Sequence, residues 1–513
     1  MRIGVVGAGT MGSGIALACL LADLPVTLCD VALDKLASAR EYLEGHLDRK
    51  GKSKALQVLA TSLELNDLRG SDVIIEAALE NLEAKQALFR DLDACCPAPA
   101  ILATNTSTLS VTAIAAACGS PHRVAGMHFF NPAPVMPLVE VVRAAQTSDA
   151  TLQGLVALAE RLGKKPVVTQ DTPGFIVNRV ARPFYGEALR LLGEGVASHE
   201  QIDRLVERAG FPMGPFRLMD LIGIDVNFAA TQSMYERSYG EPRYRPHWIQ
   251  AQKVLQNALG RKTGIGFYRY DRAEAPGDAP EESSPQAPLG RVLISPGHWA
   301  PGLSGMLLRA GGIVVKDPGK DPMAAFVVAG REEGAQELIR SFDAALPANV
   351  PLLCQAADVT LSEMAGWVAH PERLIGFDGL FLSAATSVEL TLTPILEDSL
   401  RQAGEALFAK IRRGSEWVQD SPGLVLPRIV GMLINEAAFA VGEAVADFSA
   451  IDQAMTLGMN HSRGPFAWAE MLGHARIVDV LDHLHAELGE ERYRVAPVLR
   501  RTARLAAAAK SLD

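Results

Sequence analysis

Four residues in the first half of the sequence form a set that could oxidise a secondary alcohol. His128 and Glu140 lie twelve residues apart at two apolar runs, Ser107 follows a third such run, and Asn178 comes later. Histidine has a pKa near neutral pH, which suits removal of a hydroxyl proton while a hydride leaves the adjacent carbon. A buried carboxylate can hold the imidazole tautomer and stabilise the imidazolium. A hydroxyl and an amide can hold the substrate oxygen.

Taken singly, these residues are ambiguous. A histidine after an apolar strand is more often a satisfied core residue than a base. Glu140 is unusual because it stands between valines, and a buried carboxylate needs a partner. His128 would be such a partner, so the two residues support each other's assignment to a site.

The elements that must position this set begin at the start of the sequence. Residues 2–6 are a short apolar run, typical of a buried parallel strand. The pattern G-x-G-x-x-G follows over 7–12, a helix is predicted over 13–22, and a second strand over 26–29 ends at Asp30. This strand, glycine loop, helix and acid are the context of a dinucleotide site, whereas a glycine-rich turn without a ligand is the alternative.

Each part of this pattern has a physical reason. Gly7 permits a tight turn, Gly9 lets the backbone approach a pyrophosphate, and Gly12 lets helix and strand pack closely. The helix N-terminus, with Thr10 and Met11, offers free N–H groups to phosphates. Asp30 can accept both ribose hydroxyls and would repel a 2′-phosphate, so NAD is predicted rather than NADP.

The α/β alternation continues beyond Asp30. Strands are predicted over 72–77, 101–104, 124–130 and 138–142, with a helix near 81–92. A doubly wound Rossmann-like sheet is therefore expected, with the ligand across the carboxyl ends of its strands.

Six motifs resemble those of the L-3-hydroxyacyl-CoA dehydrogenase family, in that family's order and spacing. They are the glycine loop, Asn105-Thr106-Ser107, His128 to Pro132, Asp171 to Arg179, Pro212 to Phe216, and Lys262 to Tyr268. The resemblance covers residues 1 to about 270. It implies that His128 is the base, Glu140 its paired carboxylate, and that Ser107 and Asn178 bind the reacting oxygen. Residues implied to bind NAD, together with the glycine loop, are Asp30, Glu80, Lys85, Asn105 and Lys262.

The resemblance also implies a substrate and a pathway class. It implies a coenzyme A thioester oxidised at C3 of the L-isomer, as in fatty acid β-oxidation. Lysines in the helical insert after Asp30 would meet the coenzyme A phosphates, which makes Lys52 a candidate. A solvated charged face is the other interpretation of the basic run over 49–54.

Beyond residue 290 the sequence repeats its own first half. Asp420-Ser421-Pro422-Gly423 echoes Asp171-Thr172-Pro173-Gly174, and further matches keep an offset of 249 or 250 residues. The predicted order is an α/β domain, an all-α domain, a degenerate α/β copy and a second all-α domain. The predicted limits are 1–182 for the NAD domain, 183–270 for the helical substrate and dimerisation domain, 271–289 for a linker, 290–415 for the degenerate copy, and 416–513 for the second helical domain.

The second copy has lost the predicted catalytic set. His128 aligns with Asp378, Ser107 with Ala357, and the glycine loop is missing, whereas Glu140 keeps a counterpart in Glu389. We expect this copy to bind no NAD and to act as an internal partner, with its helical domain packed on the first like a second subunit. A separate binding module is the alternative.

Composition excludes several functions. The net charge of −10 over 513 residues argues against a nucleic-acid partner. No apolar run reaches the length of a membrane span, and no signal-peptide pattern is recognisable. Six cysteines lack metal-ligand spacing, so they are expected to be reduced thiols in a cytoplasmic protein without a metal site.

The acyl group cannot be read from the sequence. The tandem architecture resembles dehydrogenases of 3-hydroxybutyryl-CoA and 3-hydroxyadipyl-CoA, so a short-chain or dicarboxyl substrate is expected, with a homo-oligomer possible. A dehydrogenase of a free hydroxy or sugar acid is the rival enzyme. An arginine pocket for the carboxylate would favour this alternative, and the sequence does not clearly show one. A structural NAD-binding protein is the non-enzymatic alternative, and it would predict damage in the catalytic set, which is intact.

Overall fold

The computed structural model describes residues 1–270, 290–295, 300–320, 322–327, 330–331, 334–393 and 398–510. The chain forms two compact units, Met1–Ala181 with Ala440–Gly464 and Arg182–Phe439 with Pro465–Asp513. A segment of the second half therefore belongs to the first unit. The linker expected over 271–289 lies outside the described residues, and the other domain limits stay predictions.

The first unit is built on an eight-stranded sheet. Its strands are β1 (Ile3–Val6), β2 (Val26–Cys29), β3 (Leu59–Ser62), β4 (Val73–Glu76), β5 (Ile101–Thr104), β6 (Val124–Phe129), β7 (Leu138–Arg143) and β8 (Lys165–Gln170). Their order is β3-β2-β1-β4-β5-β6-β7-β8. The pair β6–β7 is antiparallel and the other pairs of this sheet are parallel, so β7 and β8 run opposite to the other strands. The order reverses between β1 and β4, which is where a doubly wound sheet binds its ligand.

Helices cover this sheet. They are α1 (Thr10–Leu21), α2 (Leu33–Arg49), α3 (Leu82–Cys95), α4 (Val111–Ala115), α5 (Asp149–Arg161) and α6 (Val177–Val180). The helix predicted from residue 13 begins earlier, at Thr10, so the last glycine of the loop lies in its first turn. The strands predicted over 26–29 and 101–104 have those bounds, whereas β3 and β8 were not predicted. In the part of the chain that the structure describes, no helix is both long and apolar enough to cross a membrane.

The second unit begins with the group of α-helices that follows the first sheet in the sequence. They are α7 (Arg182–Gly193), α8 (His199–Arg208), α9 (Pro215–Ile222), α10 (Ile224–Arg237) and α11 (Trp248–Leu255). α8 begins with a capping box, in which Ser198 and Gln201 satisfy each other's backbone N–H groups. Its buried face carries Ile202, Leu205 and Val206.

A second sheet follows in the same unit. Its strands are β9 (Arg291–Ile294), β10 (Ile313–Val315), β11 (Ala324–Val327), β12 (Leu352–Gln355), β13 (Leu374–Phe377), β14 (Ser387–Leu392) and β15 (Gly414–Val418), in the order β10-β9-β11-β12-β13-β14-β15. It has the topology of the first sheet, including the antiparallel β13–β14 pair, but the described residues form no counterpart of β3. The degenerate α/β copy expected from the repeat is therefore confirmed.

Helices complete the second copy. They are α12 (Ala300–Arg309), α13 (Ala335–Ala345), α14 (Leu361–Ala365), α15 (Asp398–Lys410), α16 (Leu426–Gly442), α17 (Phe448–Gly458), α18 (Pro465–Leu472), α19 (His474–Leu488) and α20 (Pro497–Lys510). α17 lies in the segment that belongs to the first unit, where it packs on β7 and β8. In the second unit, α8 packs on β14, the strand that repeats β7.

Candidate active site

The glycine loop joins β1 to α1 in a shape that only glycine permits at two of its positions. Gly7 has a φ of +99°, and a Cβ on Gly12 would lie 1.8 Å from the carbonyl oxygen of Gly7. A Cβ on Gly9 would meet no atom within 4 Å, so the loop leaves open space there. No side chain caps the N-terminus of α1, which leaves the N–H groups of its first turn, at Thr10 and Met11, available to an anion.

Asp30 fixes the loop from the end of β2. Its carboxylate accepts hydrogen bonds from the backbone N–H of Ala8, at 2.7 Å, and of Ala32, at 3.0 Å. It also lines a mostly apolar cavity of about 270 Å³ at the carboxyl ends of β1 and β2. The open loop, the uncapped helix and a carboxylate beside an apolar cavity fit the phosphates, ribose and adenine of NAD.

A buried charge cluster lies next to this cavity. The ammonium of Lys85, of which 2% is exposed, bonds to the carboxylate of Glu76 at the end of β4. Thr104 also donates to Glu76, at 2.7 Å, and Glu80 lies 3.4 Å from Lys85. Glu76 was missed in the sequence, although it is a carboxylate in an apolar strand, which is the signal that singled out Glu140.

Glu80 organises the loop that follows β5. Its carboxylate accepts hydrogen bonds from the side chain of Thr106, the backbone N–H of Ser107 and both groups of Thr108. Burial would raise its pKa, but the hydrogen bond from Thr106 and the charge of Lys85 outweigh burial and lower the pKa of Glu80. Glu80 therefore carries a negative charge that shapes the backbone around Ser107.

His128 and Glu140 are direct cross-strand neighbours. The antiparallel register of β6 and β7 places them opposite each other, and Nδ1 of His128 lies 2.7 Å from Oε2 of Glu140. Both residues are buried, with 6% and 0% of their surface exposed. Asn105 supports the end of the strand, because its side-chain oxygen accepts a hydrogen bond from the backbone N–H of Phe129 at 2.8 Å.

The second carboxylate oxygen of Glu140 holds a tight turn. Gly174 and Phe175 both have positive φ, +75° and +50°, and the next two residues donate their backbone N–H groups to Oε1 of Glu140, from Ile176 at 3.1 Å and Val177 at 3.0 Å. Asn178, the predicted substrate amide, follows immediately on α6. One buried carboxylate thus connects His128 to the segment that carries Asn178.

Aromatic rings cover the histidine. The ring of His128 lies 4.6 Å from that of Phe130 and 5.9 Å from that of Phe175, between centroids. Ser107 is half-buried after β5, the strand that pairs with β6. The strand that precedes Ser107 therefore lies next to the strand that carries His128.

Two predicted ligand-binding lysines are engaged with aspartates. The ammonium of Lys52 lies 2.9 Å from the carboxylate of Asp23 and donates to the carbonyl of Leu21, within the first unit. Lys262 lies in the second unit, where it pairs with Asp225 at 2.5 Å. Their roles toward coenzyme A and NAD stay predictions.

The second sheet keeps the framework of this site with different chemistry. Glu389 is buried and accepts hydrogen bonds from the backbone of Val425 and Leu426, as Glu140 does from the turn before Asn178. Opposite it stands Asp378 instead of a histidine. Burial raises the pKa of Asp378 to about 7, and burial with the charge of Asp378 raises the pKa of Glu389.

Comparison with known proteins identifies a family for this chain. The family model described as "3-hydroxyacyl-CoA dehydrogenase, NAD binding domain" matches residues 2–172, and the one described as its "C-terminal domain" matches 174–270 and again 423–511. The chain is 37% identical, over 98% of its length and 97% of the relative's, to a 3-hydroxyadipyl-CoA dehydrogenase of Escherichia coli.

Two further matches cover the whole chain and its first half. A crystal structure of a 3-hydroxybutyryl-CoA dehydrogenase from Escherichia coli K12 covers 99% of each chain, with a TM-score of 0.79 and 35% identity. A 3-hydroxybutyryl-CoA dehydrogenase of Clostridioides difficile is 39% identical over 53% of this chain and 100% of its own length. With its glycine loop, its Asp30 and both family domains, the chain belongs to the 3-hydroxyacyl-CoA dehydrogenase family and is an NAD-dependent dehydrogenase.

Proposed function

We propose that this enzyme oxidises the 3-hydroxyl of an L-3-hydroxyacyl-CoA to the 3-keto group, with His128 as the general base. The observation that carries the proposal is the buried pair of His128 and Glu140, joined at 2.7 Å. With Nδ1 bonded to the carboxylate, Nε2 is the nitrogen left to accept the hydroxyl proton. NAD, when bound, accepts the hydride from C3.

The remaining residues of the site bind and orient. Glu140 stabilises the imidazolium that forms when His128 takes the proton. Ser107 and Asn178 donate hydrogen bonds to the substrate oxygen, which keeps C3 oriented while the proton leaves. Phe130 and Phe175 shield the histidine from water, so that the charges of the pair interact through a medium of low dielectric constant.

The substrate proposed is a short-chain or dicarboxyl ester, 3-hydroxybutyryl-CoA or 3-hydroxyadipyl-CoA. Support comes from the relatives that match the whole chain, since their names specify these two esters. The chemistry at C3 is the same for both, so chain length and the terminal carboxylate distinguish them.

A panel of substrates tests the proposal. NADH formation is measured for L-3-hydroxyacyl-CoA esters of increasing chain length, each with and without a terminal carboxylate, and for the D-isomers and free acids. The expected result is turnover of short or dicarboxyl L-esters and none of the free acids. Turnover of a free hydroxy acid in preference to every thioester would contradict the proposal.

The second half is proposed to act as an internal subunit, as its repeat suggests. Within the second unit, Arg428 of the second copy is fully buried and bonds to Glu187 of the first, at 2.9 Å. Tyr493 of the second copy donates to Glu187 at 3.0 Å, and Tyr244 of the first copy donates to Glu436 of the second at 2.6 Å. Tyr244 and Tyr493 are 249 residues apart, as are Glu187 and Glu436. The two tyrosine–glutamate contacts are therefore equivalent, and the two copies are related by an internal pseudo-symmetry.

A further inference from the structure

The first unit contains a segment from the non-catalytic half, and that segment lies against the site. Ala440–Gly464 belongs to the same compact unit as the first sheet. Its helix α17 packs on β7, on β8 and on α6. β7 carries Glu140 and α6 carries Asn178. α17 therefore packs against the two elements that carry these predicted catalytic residues.

The packing of α17 is close at Gly458. A Cβ at this position would lie 2.8 Å from Cδ2 of Leu138 and 2.9 Å from Cγ2 of Val177. Leu138 begins β7, and Val177 donates its backbone N–H to Glu140. A side chain at 458 would therefore press on the strand and the turn that hold the carboxylate.

Polar contacts fix the same segment. The guanidinium of Arg179, of which 4% is exposed, pairs with the carboxylate of Glu443 at 2.8 Å. Arg179 is the residue after Asn178. In addition, the carbonyl of Val445 accepts a hydrogen bond from the backbone N–H of Gln170, at the end of β8, at 3.1 Å.

We propose that Glu443 and Gly458, from the non-catalytic copy, are positioning residues for the active site of the first copy. Glu443 holds Arg179 and with it the α6 turn that presents Asn178, and Gly458 allows α17 to support Glu140. The second half is then required for turnover as well as for stability. The inference rests on the proposed function, because Asn178 and Glu140 are assigned there.

The internal repeat supplies a matched control. In the repeat, Glu194 corresponds to Glu443 and Arg428 corresponds to Arg179, each at an offset of 249 residues. Glu194 and Arg428 form the equivalent ion pair, at 2.6 Å. The glutamates have similar exposure, 39% for Glu194 and 48% for Glu443. Where an asparagine precedes Arg179, Pro427 precedes Arg428, so no predicted catalytic residue depends on the control pair.

The test compares Glu443→Gln with Glu194→Gln in the full-length enzyme. Both should lower the melting temperature to a similar extent, because each removes one charged partner of a buried arginine. Only Glu443→Gln should lower kcat, by about ten- to a hundredfold, since small displacements of catalytic groups have such effects. The dissociation constant of NADH should be unchanged, and Glu443→Asp should restore part of the rate.

Two further measurements extend the test, and the first does not depend on the folding of Glu443→Gln. Gly458→Ala adds one methyl group at the Leu138 and Val177 contact and should lower kcat without removing any charge. Amide hydrogen exchange of residues 174–181 should be faster in Glu443→Gln than in Glu194→Gln. Equal kcat and equal exchange in the two glutamine variants would overturn the inference.

The proposed function can fail separately from this inference. If the wild-type enzyme forms no NADH from any 3-hydroxyacyl-CoA, the substrate assignment fails. The exchange comparison needs no substrate, so it still shows whether Glu443 orders the α6 turn.

Discussion

Replacing Glu140 by glutamine removes one charge from the site and keeps the shape of the side chain. The amide oxygen of the new side chain can still accept the backbone hydrogen bonds of Ile176 and Val177. Its amide nitrogen, however, presents a donor to Nδ1 of His128 and favours the wrong tautomer. The imidazolium formed during turnover also loses its carboxylate partner at 2.7 Å.

Coulomb's law gives the order of magnitude of the effect. Opposite unit charges about 4 Å apart attract each other by about 4 kcal/mol at an effective dielectric constant of about 20. Since about 1.4 kcal/mol corresponds to a factor of ten, kcat of Glu140→Gln should fall by about a thousandfold. Steady-state NADH formation from an L-3-hydroxyacyl-CoA measures the loss, and NADH binding by fluorescence should be unaffected.

The second copy provides the control for this variant. Glu389 makes the same pair of backbone hydrogen bonds as Glu140 but faces Asp378. Glu389→Gln should therefore leave kcat close to the wild-type value, because Glu389 lies in the copy that has no histidine opposite it. A Glu140→Gln enzyme that keeps more than roughly a tenth of wild-type kcat, a loss of less than about 1.4 kcal/mol, would refute the account of the pair.

Two further predictions concern stability and cofactor binding. Burial raises the pKa of Asp378 to about 7, so the folded state holds the proton of this group more tightly than the unfolded state does. The contribution of Asp378 to stability therefore falls as the pH rises from about 4 to about 7. Asp378→Asn should raise the free energy of unfolding at about pH 8 but not at about pH 4. The increase should be about 1.4 kcal/mol for each unit by which the pKa of Asp378 is raised in the wild type. If the free energy of unfolding had the same pH dependence in variant and wild type, this prediction would be contradicted. Gly12→Ala places a methyl group 1.8 Å from the carbonyl oxygen of Gly7, so the loop must change shape. NADH binding, measured by fluorescence titration, should weaken at least about tenfold. Unchanged binding would show that the loop does not form the cofactor site.

Much of the first sheet could be predicted from local patterns. The glycine loop, Asp30 and the apolar runs at 26–29 and 101–104 each have a local physical cause, and the structure has strands with those bounds. The pairing of His128 with Glu140 was inferable because a carboxylate between valines requires a partner. The internal repeat was readable because its offset stays nearly constant.

The contacts of α17 were not inferable in this way. The repeat assigns residues 440–464 to the second helical domain, yet they belong to the compact unit of the first sheet, and only long-range packing decides that. The prediction for Glu80 was also incomplete. Its sequence match implied an NAD contact, whereas the structure shows its carboxylate bonded to Thr106 and Thr108. Such bonds depend on how two loops meet, which no local pattern specifies.

The most direct test of the central claim is NADH formation from L-3-hydroxybutyryl-CoA and L-3-hydroxyadipyl-CoA by the wild-type enzyme and by His128→Ala. The wild type should turn over at least one ester. The variant should lose roughly two to four orders of magnitude in kcat and retain NADH binding, because only the base is removed. A His128→Ala enzyme that turns over at the wild-type rate would contradict it.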